Sequence, residues 1–210
     1  MTRRLLVACL MLAFSVSIAR GQACTYDTTR APVENPSSLV NFQDAIFGDT
    51  NAAVTVIEYF DPNCPHCKTM HAVMKPVMKN QKDEVRFVFK PFPLRRSSLP
   101  EIEALYAAAQ QDKFIPMLEA LYARQSPSGL GTRDIRAAAE AVGIAPDALM
   151  SRVQDGSFRP MVLEARKKAI QIGVNSTPTV LINGKFVAGS ARTRACMNTL
   201  INQAQAQASK

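Results

Sequence analysis

Residues 60 to 71 read FDPNCPHCKTMH, with Cys64 and Cys67 on either side of a Pro-His pair. Two cysteines at this spacing can exchange electrons, hold a metal or fill a core, and their surroundings decide between these. Upstream, Val54 to Phe60 (VTVIEYF) is rich in β-branched and aromatic residues, as a buried strand requires. Asp61, Pro62 and Asn63 end it. Downstream, Met70, Val73, Met74, Val77 and Met78 recur at helical spacing, with Pro76 on the other face, where it should kink the helix. A helix that begins near Cys64 puts that sulfur in its first turn, where unpaired main-chain N–H groups and the positive end of the dipole favour a thiolate. The thiolate is the attacking species in disulfide exchange. Cys67 lies one turn deeper and can reach the same sulfur, so one thiol can form a mixed disulfide and its neighbour can resolve it. His66 adds a donor or a positive charge beside the thiolate, and Pro65 suits an early helical position.

The pattern further along alternates strand and helix signals. Val85 to Phe89 (VRFVF) predicts a second strand, ended by Lys90 to Leu94 with its prolines Pro91 and Pro93. From about Ser98 to Gly156 the spacing is helical throughout. Ile102, Leu105, Tyr106 and Ala109 mark one helix, and Phe114, Met117, Leu118 and Leu121 a second. A third runs from Thr132 to Val142 and stops at Gly143, and Pro146-Asp147 opens a fourth. A helix over about Arg159 to Ile172 leads to TPTVLINGKFVAG, in which Asn183-Gly184 is a hairpin turn signal. The last helix starts near Ser190 and presents Met197, Leu200, Ile201 and Ala204 on one face. There are no internal repeats. Thr25 to Asp49 shows little periodicity and reads as an extended leader, residues 24–50 in all.

Met1 to Ala23 has the form of an export signal: Arg3 and Arg4, then an apolar run from Leu5 to Ala19, then small residues. The run falls short of the roughly 20 residues that span a bilayer. Cleavage after Gly21 or after Ala23 fits; the second would leave Cys24 first and raise lipidation, although Gly21 stands where a lipoprotein signal has a large aliphatic residue. Removing residues 1–23 takes away three arginines and no acid, so the net charge falls from +8 to +5. No basic stripe with interleaved aromatics is present, so nucleic acid is not an expected partner. Composition, 47% apolar and 20% charged, suits a folded domain with a sizeable core. Cys9 would leave with the signal, and Cys24, Cys64, Cys67 and Cys196 would meet an oxidising compartment. A bridge between near neighbours stabilises little, so a Cys64–Cys67 disulfide is better read as redox-active than as structural. Cys24 and Cys196 either pair, tying the N-terminus to the last helix, or stand as unrelated thiols.

Cys64-Pro65-His66-Cys67 behind an apolar strand resembles the DsbA-type thioredoxin-fold oxidoreductases. The likeness extends over roughly Asn51 to Ala206. Glu58, six residues before Cys64, stands where that family has a buried acid behind the resolving cysteine. NSTPTVLINGKFVAG is similar to its cis-proline segment, which would make Pro178 the cis-proline and Thr177 the residue whose backbone pairs with a substrate strand. The resemblance implies an α/β, thioredoxin-like fold over residues 51–210 with an all-helical insertion at about 98–156. It also implies Cys64 as nucleophile, Cys67 as resolving thiol, His66 as thiolate stabiliser and Glu58 as proton relay. No dissociable cofactor beyond the Cys64–Cys67 pair is implied. Reduced exported proteins would be the substrates, and a quinone-linked, DsbB-like membrane protein would reoxidise the pair.

Pro-His between the cysteines is similar to the oxidising members, whereas Thr177 departs from the valine typical of DsbA itself and is similar to disulfide isomerases. The expected function is therefore an exported, periplasmic donor of disulfides, with an isomerase or reductase of the same fold as the alternative. A metal-handling reading stands beside these, because Cys64, Cys67 and His71 on one helical face, with Met70, Met74 and Met78, are ligands that suit Cu(I). The methionines coincide with the apolar stripe, which makes them core first.

Overall fold

The structure, a computed structural model, describes residues 23–209. The export signal assigned to residues 1–23 lies outside the described residues except for Ala23. Strands β1 (Ala45–Gly48), β2 (Val54–Phe60), β3 (Val85–Pro91), β4 (Thr179–Ile182) and β5 (Lys185–Phe186) form one sheet in the order β1-β3-β2-β4-β5. Only β2 and β3 run parallel, joined by helix α1 (Pro65–Gln81); the other neighbours are antiparallel. Helices α2 (Leu99–Ala109), α3 (Phe114–Arg124), α4 (Thr132–Ala141) and α5 (Pro146–Gln154) form the expected helical insertion. Helix α6 (Arg159–Gln171) returns the chain to β4, and α7 (Arg194–Ala208) closes it. This is a thioredoxin-like fold with a helical insertion.

The alternation along β2 decides what covers each face of the sheet. Val54, Val56 and Phe60 join a core with Met70, Met74 and Val77 of α1, Leu200 and Ile201 of α7, and the insertion. Ile57 and Tyr59 point the other way, into a smaller core with Val88, Leu181, Phe186 and Ala169 of α6. All seven residues of β2 are buried, as a central strand covered on both faces must be. Glu58 occupies the first of these faces, below α1, and is the one acid in the strand.

Three boundaries differ from the sequence expectation. The leader assigned to residues 24–50 is not outside the fold: its last part is β1, paired Ala45 with Phe89 through Gly48 with Arg86. A four-residue edge strand is too short to show a period. It is fastened by Asp44, whose carboxylate takes two hydrogen bonds from Lys90, at 2.7 and 2.9 Å, with side chains only 4% and 6% exposed. Strand β3 continues two residues past Phe89, through Lys90 and Pro91. The missing N–H of Pro91 costs no ladder bond, because it faces the side on which β1 has already ended, while Phe92 N–H bonds Phe60 O at 2.8 Å on the other. The last helix starts at Arg194 rather than near Ser190; a 3-10 turn over Gly189–Ala191 precedes it, and the Thr193 hydroxyl accepts the Cys196 N–H as the N-cap. Helix α1 runs through Pro76 without a break. The Asn183-Gly184 turn is as read, with φ of 44° and 80°, and a Cβ on Gly184 would come within 2.9 Å of Val33 O.

Cys24 and Cys196 are bridged, with Cα atoms 4.8 Å apart and a sequence separation of 172. The sulfur that lipidation of Cys24 would need is therefore occupied. The bridge lays residues 24–33 along β5: Tyr26 pairs with Val187, Asp27 N–H bonds Phe186 O at 2.8 Å, and the Arg30 guanidinium lies 3.5 Å over the Phe186 ring. Closing so long a loop removes unfolded-state entropy worth up to about 5 kcal/mol. A Cys24→Ser/Cys196→Ser double variant is expected to fold but to lose roughly 2–5 kcal/mol, read from urea unfolding of the oxidised proteins. A loss below about 0.5 kcal/mol would show that the bridge constrains nothing.

Candidate active site

Cys64 is the N-cap of α1, with extended backbone (φ −86°, ψ 116°), and Pro65 is the first helical residue. The turn that delivers it is built by Asp61. One Asp61 carboxylate oxygen accepts Asn63 N–H and the other accepts Leu94 N–H, both at 2.7 Å. The insertion then holds the turn from above. The Gln125 amide, just past α3, donates to Pro62 O at 2.6 Å and Cys64 O at 3.1 Å, and Asn63 Oδ1 accepts Leu130 N–H at 2.7 Å. The position of Cys64 is thus set by groups up to 67 residues away in the chain.

The two thiols are not bridged to each other and differ sharply in environment. Cys64 is pulled down to about 5, first by the hydrogen bond it receives from the Cys67 thiol, against the opposing effect of burial. The Thr177 hydroxyl and the main-chain N–H groups of Cys67 and His66 add to the stabilisation. The dipole end of α1 acts in the same direction. Cys67, fully buried, is pushed far up by desolvation, by its donation to Cys64, and by Glu58. The sequence places both cysteines at one helix start; hydrogen bonds favour a thiolate at Cys64, and deeper burial keeps Cys67 a thiol.

The remaining expected residues take different places. Thr177–Pro178 is cis, and Thr177 O lies 3.5 Å from Cys64 Sγ, a contact that is a hydrogen bond only when Cys64 is protonated. Glu58 is 5% exposed, and burial raises its carboxyl to about 8, with Arg192 opposing the rise and Cys64 adding to it. His66 is exposed, and what it brings to Cys64 here is its main-chain N–H. His71, only 6% exposed, turns its Nε2 to the Glu119 carboxylate at 3.1 Å and packs its ring against Tyr122. The methionines of α1 are core. Among the described residues no three His, Cys, Asp or Glu side chains are grouped as metal ligands. The Cys64, Cys67 and His71 copper set therefore does not assemble.

Two further groups were not singled out in the sequence. Tyr122 is buried with its hydroxyl unpaired, and burial together with the nearby Cys67, Glu58 and Cys64 keeps it un-ionised. Arg192, between the 3-10 turn and α7, donates to Pro178 O at 2.5 Å. Nothing local marks either one, because both reach the site from elements distant in the chain.

Residues 41–203 match the thioredoxin family, and the chain belongs to it. Among solved structures it is similar to α-DsbA1 from Wolbachia pipientis (TM-score 0.73, 19% identity, 84% of this chain and 98% of that one). It is likewise similar to a thioredoxin-like oxidoreductase from Silicibacter pomeroyi (TM-score 0.72, 22% identity, 83% and 99%). BdbD from Bacillus subtilis is a third (TM-score 0.70, 20% identity, 78% and 94%). These likenesses define a DsbA-like thioredoxin fold. By sequence, 148 residues are 31% identical to a protein named Na(+)/H(+) antiporter NhaA 1 from Mycobacterium sp., and the chain spans about a quarter (24%) of that relative's length.

The Glu58 carboxyl binds its proton more tightly folded than unfolded. Its contribution therefore favours the fold at low pH and is lost as pH rises from 4.5 towards 8. Glu58→Gln is expected to raise stability at pH 7 by on the order of 1–2 kcal/mol and to flatten the pH dependence in that window. Urea unfolding at several pH values checks both, and a destabilised variant with an unchanged pH slope would contradict the assignment.

Proposed function

We propose that this protein is an exported thiol:disulfide oxidoreductase that donates the Cys64–Cys67 disulfide to reduced polypeptides. The observation that carries the reading is the placement of the two thiols: Cys64 caps α1 beside the cis Thr177–Pro178 loop, and Cys67 is buried one turn deeper, which pulls Cys64 down to about 5 and pushes Cys67 up. A stabilised thiolate stabilises the reduced enzyme, and a pair whose reduced form is stabilised is an oxidant. A low-pKa sulfur is also the better leaving group in exchange.

A substrate thiolate attacks Cys64 Sγ of the oxidised pair, the Sγ–Sγ bond breaks, and its electron pair goes to Cys67 Sγ, which takes up a proton. Glu58, a neutral acid up to about pH 8, is the group placed to supply that proton. A second substrate thiolate then attacks the substrate sulfur of the mixed disulfide and releases Cys64 as a thiolate. The substrate loses two electrons and gains a disulfide; the enzyme gains both electrons. Thr177 O, which faces Cys64, and the shallow groove between α1 and α7 lined by Thr69, Ala72, Val73 and Arg194 are open to an extended chain. His66 is the exposed residue beside the attacked sulfur and meets the substrate first. The electrons would pass on to a DsbB-like membrane partner, and no dissociable cofactor is assigned. The basic, apolar N-terminal stretch and the Cys24–Cys196 bridge both support export to an oxidising compartment.

Thr177 before the cis-proline keeps an isomerase or reductase as the second reading. The reduction potential of the pair, equilibrated against glutathione, separates them. A value near ~ −120 mV is expected for a donor, and one near ~ −270 mV would assign the reductive role. Cys64→Ser is expected to abolish exchange. Cys67→Ser should instead trap a mixed disulfide at Cys64, visible on non-reducing gels.

A further inference from the structure

Glu58 and Cys67 are both buried below α1, and any proton that moves between them leaves a negative charge where water does not reach. The geometry supplies one cation for that place. Glu58 pairs across the sheet with Val180, two residues after Pro178, and Arg192 donates to Pro178 O. The segment that carries Arg192 is seated on the same face of the sheet: Ala191, Cys196 and Met197 join the core formed by Val56, Phe60 and Cys67. The Nε of Arg192 is buried without a hydrogen-bond partner, so part of the guanidinium is unspent. Among the described residues it is the positive charge that bears on Glu58, and Cys67 in turn bears on it. The other charged or titratable groups that face this cluster are Cys64 on α1, Tyr122 on α3, and Arg30 with Asp27 from the N-terminal segment.

We propose that Arg192 is a positioning residue that holds a compensating positive charge against the Glu58–Cys67 pair and so sets the pH range over which Glu58 passes its proton to Cys67. The inference rests on the redox reading above and assigns it one more residue. When Cys67 leaves as a thiolate and takes the Glu58 proton, the carboxylate left behind is stabilised by the nearby guanidinium. In the reverse step, the same charge favours the carboxylate that accepts the Cys67 proton as that sulfur attacks the mixed disulfide. The hydrogen bond to Pro178 O fixes the guanidinium between the buried pair and the loop that faces Cys64. Lysine can supply the charge, although not the planar guanidinium that bonds Pro178 O through one nitrogen and leaves Nε unspent.

The test compares wild type, Arg192→Lys, Arg192→Gln, Glu58→Gln and the Arg192→Gln/Glu58→Gln double variant. Arg192→Met serves as a second neutral replacement should glutamine fail to fold. The chain has no tryptophan, so reduction of the oxidised proteins by mercaptoethanol is followed by acid quench and mass-resolved alkylation, with rates corrected to thiolate concentration. Wild type should slow as pH rises past the Glu58 titration. Arg192→Gln should move that fall to higher pH, with Glu58 holding its proton roughly tenfold more tightly, and Arg192→Lys should return it most of the way. In the Glu58→Gln background, Arg192→Gln should move nothing. A fall that stays in place in Arg192→Gln, or that moves equally without Glu58, overturns the proposal. Carboxyl 13C NMR of Glu58 in the reduced proteins gives a readout that needs no turnover. If wild type exchanges no disulfide, the redox reading fails; a raised Glu58 midpoint in Arg192→Gln would still uphold the charge pairing, and an unchanged one would end it.

Discussion

The hydrogen bond from the Cys67 thiol to the Cys64 sulfur depends on an inequality of burial, and the rest of the site depends on that bond. Cys64 stands at the mouth of α1, where main-chain N–H groups converge; Cys67 is one turn inside, with no exposed surface. A charge is tolerated at the first sulfur and excluded from the second. Two identical side chains become an anion and its donor because a helix starts between them.

Such an inequality needs a helix start that does not move. Here it is held from three directions. Strand β2, buried on both faces, fixes the point from which the turn departs. Asp61 spends both carboxylate oxygens on main-chain N–H groups and shapes the turn, at the cost of burying an acid. The insertion supplies Gln125 and Leu130, which bind the outside of the turn. The helical block is therefore part of the active-site support as well as a cap on the core.

The N-terminal segment plays the matching part on the opposite side. The Cys24–Cys196 bridge anchors it to the start of α7, Arg30 donates to Gly173 O and lies over Phe186, and Asp44 locks the edge strand through Lys90. The Cys24–Cys196 bridge and the Ala188 N–H bond to Thr25 O brace the stretch between β5 and α7 that carries Arg192, and through Arg192 they reach the cis-proline loop. Charge is used sparingly inside this frame: a protonated acid, a thiol, a thiolate at the rim and one guanidinium.

Much of this was legible in the sequence, because it depends on local rules. A β-branched run followed by a turn and a methionine stripe fixed β2 and the start of α1 to within a residue, and Gly143, Pro146 and Asn183-Gly184 marked ends and turns by backbone preferences that act over a few residues. The Cys-Pro-His-Cys tetrad and the family likeness named Cys64, Cys67, Glu58, Thr177 and Pro178, and the fold brings all five together. Strand β1 was hidden, since an edge strand of four residues shows no period and is defined by its partner Phe89 and by the Lys90 ion pair. The Cys24–Cys196 bridge could not be separated from two lone thiols without knowing that the chain ends meet. Arg192, Tyr122 and Gln125 carry no local signal at all. Arg192 and Gln125 act through contacts 14 to 63 residues away, and Tyr122 is known only by its burial beside sulfurs from another element. The sequence by itself determined which atoms could do the chemistry; only the tertiary structure decided their ionisation, because burial and charge at a distance exist only once the chain has folded.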